Sequence, residues 1–281
     1  MLPELPNALD LEPRSHQTQF QQISYWKNNP NVIVSKDWTG NFQKIMQAVE
    51  AVPDHSRKRF AILVKRGVYK ENVDINVKKT NLVLIGEGMD VTTITGHKSN
   101  AVKAEGFIAI DIGFENTAGP HNGQAVALLV KGDQSAFFRC KINGYQDTLY
   151  AHNSRQFFRE CKISGTVDFI FGYSTAVFQM CTIIARKDLI MAWLQLLPTV
   201  FSKKTQPGLH SNFVTYVTAD ADLLSNITAT PTYLGRPWGY VLEYKERCLS
   251  VKMGIVTYMI SFMPKGNKHG YLHHHSHNAT M

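Results

Sequence analysis

Residues 135–184 read SAFFRCKINGYQDTLYAHNS (135–154), RQFFRECKISGTVDFIFGYS (155–174) and TAVFQMCTII (175–184). Three phrases recur: Cys140-Lys141-Ile142, Cys161-Lys162-Ile163 and Cys181-Thr182-Ile183, spaced 21 and 20 residues apart. Each follows an aromatic run: Phe137-Phe138, Phe157-Phe158, then Phe178. A period near twenty, carried by strand-forming residues, is the mark of a solenoid, and here of a parallel β-helix. The cysteines read as a buried ladder of small apolar side chains. Adjacent rungs are near enough for a disulfide, but pairing among Cys140, Cys161, Cys181 and Cys248 is open.

The same period governs two acidic residues. Asp147 and Asp168 stand 21 apart, so they occupy one place on successive coils. Stacked carboxylates about one strand spacing apart cannot both ionise cheaply, so one should hold a proton while the other stays anionic. That pair supplies an acid together with a nucleophile or base. The plain alternative is two solvated aspartates at a coil edge.

Outward from this stretch, short strands separated by glycine and asparagine corners continue the pattern: 32–34, 60–64, 82–85, 91–94, 107–114 and 125–130. Phe42, Ile45, Met46 and Val49 have helical spacing and predict a helix of about ten residues capping the solenoid end. The fold expected is all-β: a right-handed, single-stranded parallel β-helix with a short N-terminal capping helix. Residues 1–31 read as a polar arm or linker, 32–238 as the β-helix domain, and 239–281 as an atypical tail ending in histidines.

The chain has 281 residues, a formal net charge of +8 and a pI near 9.2. That balance suits an acidic polysaccharide, an anionic membrane or nucleic acid. No nucleic-acid module appears, and no apolar run approaches a membrane span. Metal-ligand spacings are absent apart from the tail histidines 273–277, read as adventitious. The N-terminus lacks the basic start and apolar core of an export signal. Asn226 and Asn278 fit the glycosylation pattern, which matters only in a secreted protein.

Near the two aspartates lie Gln146 and, one coil earlier, Gln124; their amides can donate to a developing oxyanion. Arg236, in Gly235-Arg236-Pro237-Trp238, can hold an anionic carboxylate.

Several phrases resemble the signature stretches of plant pectin methylesterases. They are Gly67-Val68-Tyr69-Lys70-Glu71, Gln124-Ala125-Val126-Ala127-Leu128, Gln146-Asp147-Thr148-Leu149-Tyr150, the octet 165–172 (GTVDFIFG) and Tyr233-Leu234-Gly235-Arg236-Pro237-Trp238. The likeness runs over about 30–184 and 219–238. It implies a cofactor-free and metal-free β-helix esterase of the cell wall, secreted and monomeric, acting on methyl-esterified pectin and open to a proteinaceous inhibitor. It implies Asp168 as nucleophile, Asp147 as general acid and base, Gln124 and Gln146 as the oxyanion hole, and Arg236 as partner of Asp168. Trp238, Phe169 and Tyr150 become sugar-facing aromatics.

The likeness breaks at 97–104, 185–217 and 239–281, at Leu129 where an arginine is usual, and at Trp38 where a glycine is usual. These departures keep open a catalytically weak β-helix that only binds acidic polysaccharide. A lyase or glycosidase of the same fold fits less well, because the octet and the Gln-Asp motif argue against both.

Overall fold

The computed structural model describes residues 16–186, with side chains from residue 21, and the backbone of four later strands. Those strands are Leu194–Gln195, Thr215–Ala219, Thr232–Tyr233 and Tyr258–Ile260. The architecture is a parallel β-solenoid whose coils each contribute a strand to up to three sheets.

The first sheet stacks Val32–Val34, Phe60–Val64, Leu82–Ile85, Ile108–Ile110, Ser135–Phe138, Arg155–Arg159 and Thr175–Gln179. The second begins with Gly67–Lys70, Thr92–Gly96, Gly113–Asn116, Lys141–Asn143, Lys162–Gly165 and Thr182–Ala185. Thr215–Ala219 extends it in parallel, and Tyr258–Ile260 adds antiparallel to that strand. The third stacks Asp74–Ile75, Asn100–Val102, Leu128–Val130, Leu149–Ala151 and Ile170–Phe171.

The repeat read from sequence is the register itself. Lys141 pairs with Lys162 and Lys162 with Thr182, so the three cysteines that precede them stack. All three are buried free thiols. Burial pushes the Cys161 and Cys181 thiols well above their ordinary value. Beside them Phe137, Phe158 and Phe178 stack face to face at 4.9 and 4.8 Å between ring centroids. A ring of that size buries on the order of 150–250 Å², so this ladder dominates the energetics of the core.

Three expectations are corrected in detail. The alternating run 107–114 is two strands, because Asp111 bends the chain at φ 55°. Within 125–130 only Leu128–Val130 is strand. The capping helix, α2, is Ile45–Glu50, shorter than the apolar spacing suggested. Its first free amides, Ile45 and Met46 N–H, donate to the Glu71 carboxylate at 3.0 and 3.1 Å. A carboxylate at that end satisfies orphan donors and complements the helix dipole.

The N-terminal arm contains a helix that its polar composition concealed, α1, His16–Asn28. Ile23 and Trp26 press it onto the outer face of the first sheet, against Ala61, Leu63, Val83, Ile85, Ile108 and Phe138. Lys27 reaches Asp111 at 2.6 Å. Hence Leu82–Ile85 is buried at all four positions and reads as a continuous apolar run, as strands covered on both faces do.

Candidate active site

Asp147 and Asp168 lie on equivalent turns that carry successive coils from the second sheet to the third. The turns stack through the backbone: Asp147 N–H donates to Val167 O at 3.0 Å and Leu149 N–H to Phe169 O at 2.8 Å. Both aspartates adopt left-handed backbone, at φ 62° and 51°, a conformation Asp tolerates better than most residues. Asp147 is 6% exposed and Asp168 half-buried. The sequence thus places two carboxylates at one height on adjacent coils.

The residues around them are selected for close approach. A Cβ on Gly165 would stand 2.3 Å from the Phe169 Cβ and 2.5 Å from Thr148 Oγ1. Gly172, at φ 131°, brings its Cα so near Ala151 O that a Cβ would lie at 1.9 Å. These contacts explain why the octet begins and ends in glycine. Thr148 is fully buried, and its hydroxyl donates to Tyr145 O or Ser164 O, at 3.0 and 3.1 Å.

Gln146 is half-buried on the Asp147 turn. Its carbonyl accepts from Ala125 N–H at 3.1 Å, which sets the 124–127 segment directly over the turn. Gln124 is exposed at the start of that segment. The loop before it is tied down by Asn116, whose side chain donates to Val126 O and accepts from Ala118 N–H, both at 2.9 Å.

On the outer face of the third sheet, Leu129, Tyr150 and Phe171 form one row in register. Tyr150 and Phe171 stack at 4.4 Å with planes 13° apart, and the His152 ring lies 4.9 Å from Tyr150. Burial, with the adjacent Tyr173, pushes the Tyr150 phenol above its ordinary value. Tyr150 therefore sits on an aromatic rail beside the aspartates.

Phe169 does not sit there. It is 0% exposed and belongs to the core together with Ile170, because the tight turn at Gly165, which closes on the Phe169 Cβ, directs it inward. Phe171, overlooked in the sequence, takes the outward place; its 21-residue offset from Tyr150 was the available signal. Arg236 and Trp238 lie outside the described residues, as does Cys248. Among the described residues, no group of three His, Cys, Asp or Glu side chains is placed to hold a metal ion.

A second overlooked residue is Arg186, which follows the strand Thr182–Ala185. Its guanidinium donates to Gly144 O at 2.9 Å and to Tyr145 Oη at 3.0 Å, and its Cζ lies 4.0 Å above the Tyr145 ring.

The Pectinesterase family model matches residues 31–246. A pectinesterase/pectinesterase inhibitor of Prunus persica is 51% identical over 222 residues, covering 74% of this chain and 42% of that protein. A probable pectinesterase/pectinesterase inhibitor of Arabidopsis thaliana is 49% identical over 220 residues, with the same two shares. The chain thus spans about two fifths of the length of the curated relatives it matches. Among solved structures, carrot pectin methylesterase superposes with a TM-score of 0.71 at 41% identity, covering 75% of this chain and 70% of that one. The Erwinia chrysanthemi enzyme PemA gives 0.65 at 29%, covering 75% and 72%. With the solenoid, the stacked aspartates and these matches in agreement, the chain belongs to the pectinesterase family.

Proposed function

We propose that the chain hydrolyses the methyl esters of galacturonate in pectin, with Asp168 as nucleophile and Asp147 as general acid and then general base. The observation that carries this reading is the register of the two turns, which stacks the carboxylates one coil apart.

Asp168, as the carboxylate, attacks the ester carbonyl carbon. The carbonyl π electrons move to oxygen, and the amides of Gln124 and Gln146 meet the oxyanion; one such donor is worth about 3–4 kcal/mol in related chemistry. The tetrahedral intermediate collapses, the C–O bond to methoxide breaks, and the Asp147 proton passes to the departing oxygen, giving methanol. An acyl anhydride with Asp168 remains. Asp147, now a carboxylate, takes a proton from water as its oxygen attacks the acyl carbon. The product carboxyl group leaves, Asp168 is restored as carboxylate and Asp147 is again protonated. One water enters and one methanol leaves per cycle.

In this reading Arg236 pairs with Asp168 and favours its charged form, and Trp238 and Tyr150 with Phe171 present ring faces to the sugar. A pectin methylesterase 29% identical to this chain has been solved with a bound hexasaccharide, which supports a saccharide chain as the ligand class. The substrate is methyl-esterified pectin, the setting the plant cell wall outside the cell, and the working form a monomer. The net charge of +8 favours a polymer that becomes more anionic as it is processed. A proteinaceous inhibitor would dock over the same cleft.

The test is methanol release from highly methylated pectin by purified chain, beside Asp168→Asn. Release that vanishes in the variant is expected. A folded chain that binds pectin and releases no methanol would overturn the esterase in favour of a polysaccharide-binding β-helix.

A further inference from the structure

Resting on the esterase reading, we propose that Arg186 is a positioning residue that locks the two aspartate turns at one separation and so holds the acid and the nucleophile in their working geometry.

Arg186 touches both turns, from a third coil. Its backbone N–H donates to Gly165 O at 2.8 Å, at the start of the turn that carries Asp168. Its side chain reaches one coil further back. There it donates to Gly144 O at 2.9 Å, approaches Asn143 Oδ1 at 3.4 Å, and covers Tyr145, bonding its hydroxyl. Gly144 and Tyr145 lead directly into Gln146 and Asp147. One residue therefore clips together three coils at the point where the two carboxylates hang.

The clip adds to hydrogen bonds that already join the turns, among them those of the Thr148 hydroxyl to Tyr145 O or Ser164 O at 3.0 and 3.1 Å. Gly144 N–H donates to Ser164 O at 3.2 Å and Thr166 N–H to Tyr145 O at 3.0 Å. A planar guanidinium can donate along two directions and stack at once, which a lysine cannot. The acid and the nucleophile act on one ester group, so a looser clip takes them out of the alignment that both steps need. A displacement of about 1 Å can also cost about a hundredfold in rate.

The experiment measures initial rates of methanol release against pectin concentration for the full chain and its Arg186→Ala, Arg186→Lys and Tyr145→Leu variants. For Arg186→Ala we expect kcat to fall on the order of 10- to 100-fold and KM to stay within about twofold. Arg186→Lys should recover part of kcat, since an ammonium still reaches Gly144 O and the ring. Tyr145→Leu should share the direction with a smaller loss.

Hydrogen exchange at the Gly144 and Thr166 amides provides a second readout independent of turnover. Faster exchange there in Arg186→Ala, with Lys162 and Thr182 amides unchanged, is expected. Unchanged kcat in a folded Arg186→Ala would overturn the proposal, as would equal exchange at both sets of amides. If the wild type releases no methanol, the esterase reading fails, and the exchange result still decides whether Arg186 clips the turns.

Discussion

Of the stacks of left-handed residues that run along this solenoid, two treat charge in opposite ways. Where each coil passes from the first sheet to the second, Asp111, Arg139, Glu160 and Met180 take φ values of 55°, 49°, 55° and 53°. Where each passes from the second to the third, Asp147 and Asp168 do the same. The first stack alternates in sign. Arg139 makes a forked contact with Asp111 at 2.5 and 2.8 Å, and Lys27 on α1 adds a second cation. The second stack puts like charges on neighbouring rungs. Equal backbone geometry thus carries opposite charge logic, and like charges directly opposite destabilise a sheet, which is why the proposed chemistry is assigned to the second stack.

Neutralising a rung breaks the comparison most sharply on the aspartate side. Asp168→Asn should lower kcat by about four orders of magnitude or more, as loss of a nucleophile or its partner does elsewhere. Its thermal midpoint should hold, because the amide keeps the shape of the carboxylate on that turn. A fall of several degrees would show that Asp168 is a structural ion partner after all. Asp147→Asn should cost on the order of 10²–10⁴ in kcat, the range of general acid–base catalysis.

The converse applies on the other stack. Asp111→Asn should leave kcat within about twofold and reduce unfolding free energy by about 2 kcal/mol, below the full cost of breaking a buried pair because Arg139 and Lys27 are partly exposed. Urea unfolding measures it. Burial pushes the Asp111 carboxyl up, but the hydrogen bonds and charges of Arg139 and Lys27 together hold it below its ordinary value. A depressed carboxyl contributes stability that is present above the unfolded pKa and lost as pH falls through the folded one. Acidification below the ordinary carboxylate range should therefore release α1 from the sheet. Trp26 fluorescence would report the release, and Asp111→Asn should flatten that acid limb.

How far the two stacks were visible in the sequence differs for a physical reason. The coil period placed Cys140, Cys161 and Cys181 in one ladder and Asp147 over Asp168, because every residue of a solenoid coil repeats with its neighbours. Contacts that skip coils carry no such signal. Arg186 reaches back 42 residues to Gly144, and Lys27 reaches 84 to Asp111. The helix α1 was hidden for a related reason: among its described side chains Ile23 and Trp26 are the buried ones, and their partners come from strands far along the chain. Phe169 was misplaced because it lies before the two-residue strand Ile170–Phe171, on a turn closed against Gly165 that the alternation of a strand does not govern. The bend at Asp111 interrupts an apolar run that alternates on both sides of it.

Both stacks also carry the bare cost of left-handed backbone, and the comparison needs that cost alone. Trp38 supplies it. It has φ 67° and is 79% exposed. The turn around it is held by Asp37, which accepts from Thr39 N–H at 3.0 Å and from the Thr39 and Ser35 hydroxyls. Those bonds hold the Asp37 carboxyl down at about 2. Left-handed backbone costs a non-glycine residue roughly 1–2 kcal/mol. Glycine removes that cost but gives back roughly 0.5–1 kcal/mol in unfolded-state entropy. Trp38→Gly should therefore stabilise the fold by about 0.5 kcal/mol, with activity unchanged, read as a small rise in the urea midpoint at constant slope. A larger gain would mean that the charged stacks, too, conceal backbone strain, and that part of the Asp111→Asn loss belongs to the turn rather than to the ion pair. A loss would mean that the exposed indole holds the turn by packing, and the two charged stacks could then be compared without correction for their backbones.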